Sequence, residues 1–185
     1  MTKKNKAFNA TSYVFKEDEH ILNDANIWLY LQPPTAQPTP TWVAGYSSVF
    51  ANLLKARAVP IIDAFVLSEY INRYLRLEYI AQWSAAYPKF KDFRQSAEGL
   101  GIAQHAVADV HTILRSACPR DTQLQHIDLA RVLSQTASGQ ADFNDGVLVE
   151  NCRLQGWKLL THDADMTIGG INVLTNSQKL LRNCR

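Results

Sequence analysis

Cysteine is scarce in this sequence, and its placement excludes two common uses. The 185 residues contain three cysteines, Cys118, Cys152 and Cys184. They are odd in number and far apart, and their spacing does not match that of zinc ligands. We therefore expect neither a disulfide framework nor a zinc site, and we interpret the thiols as buried or idle groups in a reducing compartment.

A long apolar run and a strong excess of charge of one sign are also missing. Residues 1–20 are basic and then polar, without the apolar stretch of a signal peptide, and no later segment has the length of a membrane span. We therefore expect a cytoplasmic protein with no membrane partner. The formal net charge is only +2, so nucleic-acid binding would depend on a local patch.

What the sequence does contain fits one globular unit. Hydrophobic residues make up 46% of the chain and charged residues 19%, which is enough apolar surface for a buried core. We predict a polar N-terminal arm at residues 1–19 and a single domain at residues 20–185. Lys3, Lys4 and Lys6 could attract phosphates from a mobile arm, or serve only as a solubilising terminus.

Strand and helix patterns alternate in the first part of this domain. Residues 20–28 read as a short apolar strand that stops at a carboxylate, followed by a Pro/Thr-rich loop. A helix is predicted from Trp42 onward, with Thr41 as its cap. A buried strand at residues 58–62 leads to Asp63, which is placed to cap a long helix. This order indicates an α/β fold with a parallel sheet.

The rest of the chain reads as mostly helical, with strands near the end. Residues 90–138 follow a helical pattern that is broken near residues 118–123, and residues 124–127 read as a third strand. Further on, we predict a helix that stops at Gly156, strands at residues 157–161 and 171–175, and a final helix at residues 177–183.

Two carboxylates follow predicted strands directly. In an open parallel sheet, ligands bind at the carboxyl ends of the strands, which is where Asp24 and Asp163 fall. Side chains alternate along a strand, so Thr161 and Asp163 share one side if the strand extends that far, whereas His162 points away and is not expected to be catalytic.

The other acids have simpler interpretations beside a functional one. Asp142 and Asp145 lie three residues apart at the start of a helix, where carboxylates cap free amides and suit the helix dipole. Glu69 lies on an amphipathic helix, at a spacing to Arg73 and Arg76 that favours ion pairs along one helix face. No single acid therefore indicates catalysis by itself.

The combination of acids points to a cation. Two carboxylates about 4 Å apart repel by roughly 4 kcal/mol at an effective dielectric constant of 20, so a converging cluster needs protons or a metal ion. Oxygen ligands without histidine or cysteine favour Mg²⁺ or Mn²⁺.

Four segments, taken in order, resemble the motifs of the PIN-domain nucleases, a family that includes the VapC toxins. NDANIWLY resembles the opening D-x-N motif, and VLSEYINRY resembles the S-E motif of the second helix. ADFNDGVLVENCR resembles the acid-led helix, and GWKLLTHDADM resembles the T-x-D strand end. The sequence departs from the pattern at Asn23, where the family usually has an apolar strand residue, and in a longer segment between the second and third motifs.

The resemblance implies a fold, a reaction and roles for individual residues. It implies a three-layer α/β/α sandwich on a central parallel sheet and metal-dependent cleavage of RNA, leaving a 5′-phosphate and a 3′-hydroxyl. The family's acidic positions fall on the four residues that would hold one or two Mg²⁺ or Mn²⁺ ions, which are Asp24, Glu69, Asp145 and Asp163. Asp142 is a possible extra ligand, a supporting acid or only a cap.

Further residues are assigned to supporting and substrate-binding roles. Asn26 and Thr161 match positions that support the acids by hydrogen bonds. Arg73 and Arg76 follow Glu69 on about the same helix face and could hold flanking phosphates, with surface ion pairing as the alternative.

Partners and rival functions complete the expectation. A toxin would have RNA as its substrate, an antitoxin that masks the site, and a homodimer as its assembly. Trp42, Tyr46 and Phe50 share a helix face that would form an antitoxin or dimer groove, unless they pack in the core. The alternatives are a housekeeping RNA-processing nuclease, an acidic-pocket phosphotransfer protein and a PIN-like scaffold that binds RNA or protein without cutting.

Overall fold

A six-stranded parallel sheet organises the molecule. The computed structural model describes residues 3–36 and 43–184. All strand pairs are parallel, in the order β1-β6-β5-β2-β3-β4. The strands are β1 (Lys6–Asn9), β2 (His20–Asn23), β3 (Val59–Ile62), β4 (Cys118–Pro119), β5 (Lys158–Leu160) and β6 (Asn172–Thr175).

Helices cover both faces of this sheet, which confirms the predicted α/β/α sandwich with a central parallel sheet. They are α1 (Ala25–Leu31), α2 (Val43–Lys55), α3 (Ala64–Glu78), α4 (Phe90–Gln95), α5 (Ala97–Ser116), α6 (Leu129–Ala137), α7 (Phe143–Gln155) and α8 (Gln178–Asn183). A π-helical turn, Tyr79–Trp83, continues α3. In residues 3–36 and 43–184, no helix is both long enough and apolar enough to cross a bilayer.

The alternation of side chains along the strands divides the core into two parts. In β2, Leu22 packs in the larger cluster with residues of α3, α5 and α7, whereas Ile21 packs in the smaller one with residues of α2. Leu159 and Leu160 in β5 divide in the same way. Period-two alternation sends neighbouring residues to opposite faces, so each face of the sheet has its own core.

Residues 6–9, which the sequence placed in a polar N-terminal arm, form a strand at the edge of the sheet. β1 pairs with β6 at the sheet edge, and Phe15 is buried in the smaller core. Lys4 forms a bridge with Ile168, and its ammonium donates to the carbonyl of Asn183 at 3.3 Å. β1 is only four residues long, and its partner strand lies near the other end of the chain, so no local pattern reveals the pairing.

Within residues 20–28, the strand stops at its carboxylate as predicted, but the residues after Asp24 form a helix that the sequence did not predict. β2 ends at Asn23, and α1 begins at Ala25 with Asp24 at its N-cap position. Five successive residues of α1, from Ala25 to Leu29, are buried. A helix that is buried on most sides has no polar face, so its sequence does not differ from that of a buried strand.

The third strand lies elsewhere than predicted. Residues 124–127 form turn and bend structure, whereas β4 pairs Cys118 with Ile61 and Pro119 with Ile62. β4 has two residues and contains a proline, which a sheet tolerates at its edge. Such a strand has too few residues to show a period in the sequence.

Other predicted features are confirmed. Asp63 caps α3 by accepting a 2.9 Å hydrogen bond from the amide of Val66, and Gly156 ends α7 with a φ of +69°. All three cysteines are free thiols, two of them buried. Thr41 and Trp42 lie outside the described residues.

The aromatic face of α2 packs inward. Tyr46 is fully buried in the smaller core, and Phe50 meets the ring of Trp28 edge to face, with 5.4 Å between the ring centroids. Tyr46 and Phe50 therefore pack in the core, which was one of the two expected roles.

Candidate functional site

Asp24 is held at the junction between β2 and α1. Its backbone amide donates to the carbonyl of Leu160 in β5 at 3.0 Å. Only 4% of the residue is exposed to solvent. Its Oδ2 accepts two hydrogen bonds of 2.6 Å, one from Nδ2 of Asn26 and one from the hydroxyl of Thr161. A carboxylate with these donors keeps one orientation.

Thr161 is the centre of this polar network. It is fully buried directly after β5, and its hydroxyl oxygen accepts hydrogen bonds from Nδ2 of Asn26 at 3.1 Å and from the amide of Asp163 at 3.0 Å. The side-chain oxygen of Asn26 in turn accepts the amide of His162 at 3.2 Å. The two residues to which the family resemblance assigns supporting positions therefore join the end of β5 to the start of α1.

Asp142 and Asp145 lie at the start of α7. Asp142 is exposed and caps the helix, because its Oδ1 accepts the amide of Asp145 at 2.8 Å. Asp145 is half-buried in the first turn of the helix. Burial, followed by the charges of four other acids, raises the pKa of Asp145 to about 8; those acids are Asp142, Asp24, Asp163 and Glu69.

Electrostatic interactions link this acid to the strand ends. Burial raises the pKa of Asp24 to about 6, against the opposing effect of the hydrogen bond from Thr161, and the charges of Glu69 and Asp163 raise it further. Like charges affect a pKa in this way only when they are close. The fold thus brings the four predicted acids, which are spread over most of the sequence, into one electrostatically coupled group.

Glu69 and the two arginines of α3 differ in their surroundings. Glu69 is half-buried and forms a 3.0 Å ion pair with Arg73, whose side chain is 52% exposed. This is the pairing along one helix face that the spacing predicted. Arg76 instead places its guanidinium over the ring of Phe90, 4.6 Å from the ring centroid. Of these two arginines, Arg73 is therefore the one that contacts an acid of the four within the described residues.

A cleft of about 590 Å³ opens between the start of α7 and the loop after β5. Four carboxylates line it, two from each side: Asp142, Asp145, Asp163 and Asp165. Asp24 and Glu69 lie outside this lining in the part of the chain that the structure describes. The cleft thus gives solvent a path to one side of the coupled group.

The four side chains offer the type of ligand atom that a hard cation binds. All four coupled side chains offer carboxylate oxygens, the ligands that Mg²⁺ and Mn²⁺ prefer. The raised pKa values of Asp24 and Asp145 mean that their charges are costly without a compensating positive charge. Among residues 3–36 and 43–184, however, no three acidic, histidine or cysteine side chains converge closely enough to form a ready-made metal site.

Not every acid at a strand end belongs to this group. Asp63 directly follows β3 and is buried, yet its oxygens are used within the fold. Oδ1 accepts the amide of Val66 at 2.9 Å, and Oδ2 accepts the hydroxyl of Thr122 at 2.8 Å. Asp63 therefore fixes the start of α3, the helix that carries Glu69.

Aromatic residues border the group on the α1 side, and among them Tyr30 was missed by sequence reasoning. The hydroxyl of Tyr46 lies 2.8 Å from Nδ1 of His162, and the ring of Tyr30 packs against both residues. His162 thus faces the aromatic residues. β5 ends at Leu160, so the strand alternation on which the prediction for Thr161, His162 and Asp163 depended does not reach them. The spacing of Asn26 and Tyr30, four residues apart in α1, was the available signal, because such residues share a helix face.

Comparisons with known proteins identify a similarity of overall structure only. No model of a known protein family matches the sequence, and no functionally curated protein matches it either. The chain is similar to a crystal structure of PAE2754 from Pyrobaculum aerophilum, with 16% sequence identity, 95% of each chain covered and a TM-score of 0.47. We draw no conclusion about function from this similarity.

Proposed function

We propose that this protein is a metal-dependent endoribonuclease with a PIN-like architecture. The observation that carries the proposal is the cleft lined by four carboxylates, among them those of Asp145 and Asp163. Burial and the charges of Asp142, Asp24, Asp163 and Glu69 raise the pKa of Asp145 to about 8. Acids with strongly perturbed pKa values in a cleft are typical of functional sites.

In this proposal the coupled acids hold the cation. Asp24, Glu69, Asp145 and Asp163 would bind one or two Mg²⁺ or Mn²⁺ ions, with Asp142 as the cap of α7. The bound cation would orient a phosphodiester and lower the pKa of an attacking water. Because the acids do not converge on one point among the described residues, binding would require their side chains to move, and the favourable interaction with the cation would offset their mutual repulsion.

The residues around the acids prepare the site. Thr161 and Asn26 hold the carboxylate of Asp24 by two 2.6 Å hydrogen bonds, so this ligand loses little conformational freedom on binding. Arg73 neutralises Glu69 in the absence of a ligand and is placed to transfer to a phosphate when Glu69 engages a cation. Arg76, on the ring of Phe90, lies one turn further along α3 and would contact a more distant phosphate.

The substrate in this proposal is RNA, cut to leave a 5′-phosphate and a 3′-hydroxyl. The four-motif resemblance to PIN-domain nucleases supports this choice, and the two arginines on the α3 side supply the positive charge that a polyanion needs. A non-cleaving scaffold would not need to keep all four acids in electrostatic contact.

The direct test is cleavage of a labelled RNA pool by the purified protein. We expect cutting with Mg²⁺ or Mn²⁺, none with EDTA, and a loss of at least 100-fold in Asp24→Asn. The matched control is Asp18→Asn, because Asp18 is exposed and has a φ of +58° that asparagine tolerates. Equal activity in wild type and Asp24→Asn would overturn the proposed site, and RNA binding without cutting under any metal would favour the scaffold.

The biological role of a toxin, with an antitoxin and a homodimer, is a narrower proposal that the sequence resemblance supports. It predicts that expression in bacteria stops growth, that Asp24→Asn relieves the arrest, and that an antitoxin binds the protein and masks the cleft. A housekeeping RNA-processing nuclease would cut RNA in vitro and leave growth unaffected. Both versions act in the cytoplasm.

A further inference from the structure

Asn5 connects the N-terminal segment to the loop between β5 and β6. This loop, residues 161–171, carries Asp163, and its residues 163–168 form one wall of the cleft. Asn5 directly precedes β1, and only 3% of the residue is exposed. Because Asn5 does not itself line the cleft, it can affect the site only through the loop.

Three hydrogen bonds join Asn5 to this loop. Its side-chain Nδ2 donates to the carbonyl of Met166 at 3.1 Å, and its Oδ1 accepts the amide of Ile171 at 3.1 Å. Its backbone amide donates to the carbonyl of Thr167 at 2.9 Å. A buried amide needs partners for both its oxygen and its nitrogen, so this side chain holds the loop at two points at once.

The loop has little regular structure of its own. Within residues 161–171 the backbone forms turns and bends, apart from an antiparallel bridge between Ile168 and Lys4. The carbonyl of Lys3 also accepts the amide of Gly169 at 2.9 Å. The N-terminal segment therefore supplies backbone partners to the same loop that the side chain of Asn5 holds.

Helix α7 limits the loop from the other side. Gly169 has a φ of +136°, and a methyl group on it would lie 2.1 Å from Cγ1 of Val149 and 3.2 Å from Oδ1 of Asn5. Glycine is required here by both the backbone conformation and the close approach. Val149 also lines the cleft. The loop thus lies between Asn5 and the helix that carries Asp145, so Asn5 helps to set the distance between the two walls of the cleft.

We propose that Asn5 is a positioning residue for the candidate cation site: it holds the loop of Asp163 against α7, and the N-terminal segment thereby sets the affinity of the site for a divalent cation. This inference rests on the proposed function. Ligands that are already in place lose less conformational entropy when the cation binds. Without the bonds from Asn5, the loop would move more freely, and cation affinity would fall.

The first test needs no cation. In EDTA, amide hydrogen exchange over residues 163–171 should be at least about tenfold faster in Asn5→Ala than in wild type, whereas exchange in α5 should not change. The matched control is Asn9→Ala, because Asn9 lies at the end of β1 and its Oδ1 accepts the amides of Thr11 and Ser12 instead. The control should leave exchange in the loop unchanged. Faster exchange throughout Asn5→Ala would indicate a general structural role and would overturn the proposal.

The second test measures Mn²⁺ affinity well below the melting temperature. Asn5→Ala should weaken binding about tenfold, both alone and in a Glu69→Gln background. In an Asp163→Asn background it should weaken binding less than threefold, because the ligand that Asn5 positions is already lost. Equal losses in all three backgrounds, or no loss when Asn5→Ala is made alone, would contradict the positioning role.

A smaller change serves if the alanine variant does not fold. Asn5→Ser keeps a polar group, but its hydroxyl is one bond shorter than the oxygen and nitrogen of the asparagine amide. It should weaken Mn²⁺ binding about threefold when made alone and leave it unchanged in the Asp163→Asn background. Wild-type affinity in Asn5→Ser would count against the proposal.

Failure of this inference is distinguishable from failure of the proposed function. If the wild-type protein binds no Mn²⁺, or if Asp24→Asn binds it as tightly as wild type, the cation site itself is overturned, and the role of Asn5 with it. If Asp24→Asn binds Mn²⁺ more weakly but Asn5→Ala binds it as wild type does, the cation site stands and the positioning role alone is wrong.

Discussion

The hydroxyl of Thr161 donates a 2.6 Å hydrogen bond to Oδ2 of Asp24, and the two residues are 137 positions apart in the chain. They meet because β2 and β5 are parallel neighbours, so their carboxyl ends lie at the same edge of the sheet. Both residues are buried, so the bond forms away from competing water. Thr161, which hydrogen-bonds to both Asp24 and Asp163, therefore fixes the orientation of the Asp24 carboxylate.

Replacing Thr161 tests this relationship. Thr161→Val keeps the shape and removes the hydroxyl, which leaves the buried carboxylate of Asp24 with Asn26 but without Thr161 as a side-chain donor. We expect a loss of about 1–3 kcal/mol in the free energy of unfolding. Mn²⁺ affinity should fall about 10–100-fold, as is typical when a residue that orients a metal ligand is lost. Urea unfolding and Mn²⁺ titration measure the two effects.

Thr161→Ser is the matched control, because serine keeps the hydroxyl and loses only a methyl group. It should bind Mn²⁺ within about threefold of wild type. If valine and serine variants bind Mn²⁺ equally well, the hydrogen bond to Asp24 does not prepare the site.

The raised pKa of Asp145 predicts that the stability of the protein depends on pH. Its pKa in the folded protein is about 8, above its ordinary value of 3.8, so the folded state holds this proton more tightly than the unfolded state. The resulting stabilisation is fully present below pH 4 and is lost as the pH rises to about 8. In EDTA, we therefore expect the melting temperature to fall over this range as Asp145 ionises.

Asp145→Asn should reduce this fall. At pH 8 in EDTA, the variant should melt at least about 3 °C above wild type, which corresponds to roughly 1 kcal/mol for a protein of this size. At pH 4 the two proteins should melt together. A scanning calorimetry series with Asp18→Asn as the charge-matched control measures the difference, and parallel pH profiles for all three proteins would argue against the buried position of Asp145.

A bound cation should stabilise the protein at high pH, which is the reverse of what raising the pH does alone. Because Mn²⁺ would bind the ionised acids, adding it at pH 8 should raise the melting temperature of wild type by several degrees, and saturation at 100 times Kd corresponds to about 2.7 kcal/mol. Asp24→Asn should show less than half of this shift. Equal shifts in both proteins would locate the bound Mn²⁺ elsewhere.

Asp63 provides a contrast between structural and functional acids. Asp63→Ala removes the cap of α3 and the partner of Thr122, so we expect a loss of about 1–2 kcal/mol in the free energy of unfolding. Mn²⁺ affinity should stay within about threefold of wild type when measured well below the melting temperature. Asp63→Asn, which can still cap the helix, should recover most of the stability, and a large loss of Mn²⁺ affinity in that variant would place Asp63 in the metal site.

The sequence predicted the parts of the fold with strong local signals. Asp63, Gly156 and the two strands near the C-terminus each have a cap, a stop or a period that acts within a few residues. β1 and β4 lack such signals, because four and two residues are too few for a period and both strands are defined by distant partners. α1 was missed because it is buried on most sides.

The candidate site was predictable to a similar degree. Asp24 and Asp163 follow strands, and the sheet rule alone brings them to one edge. The coupling of Glu69 and Asp145 to this edge depends on how α3 and α7 pack on the sheet, which the residue pattern does not specify. Tyr30 was missed because an aromatic residue in an apolar segment looks like any other core residue.

The parallel pairing of β2 with β5 also determines when the candidate site can form during synthesis. Asp24 leaves the ribosome 137 residues before Thr161, a delay of roughly 7–27 s at typical translation rates of 5–20 residues per second. Until then the carboxylate of Asp24 lacks both β5 as a neighbouring strand and the hydroxyl of Thr161. If the proposed function holds, a nascent chain would be inactive on the ribosome, and the site would form only once the last third of the chain is synthesised.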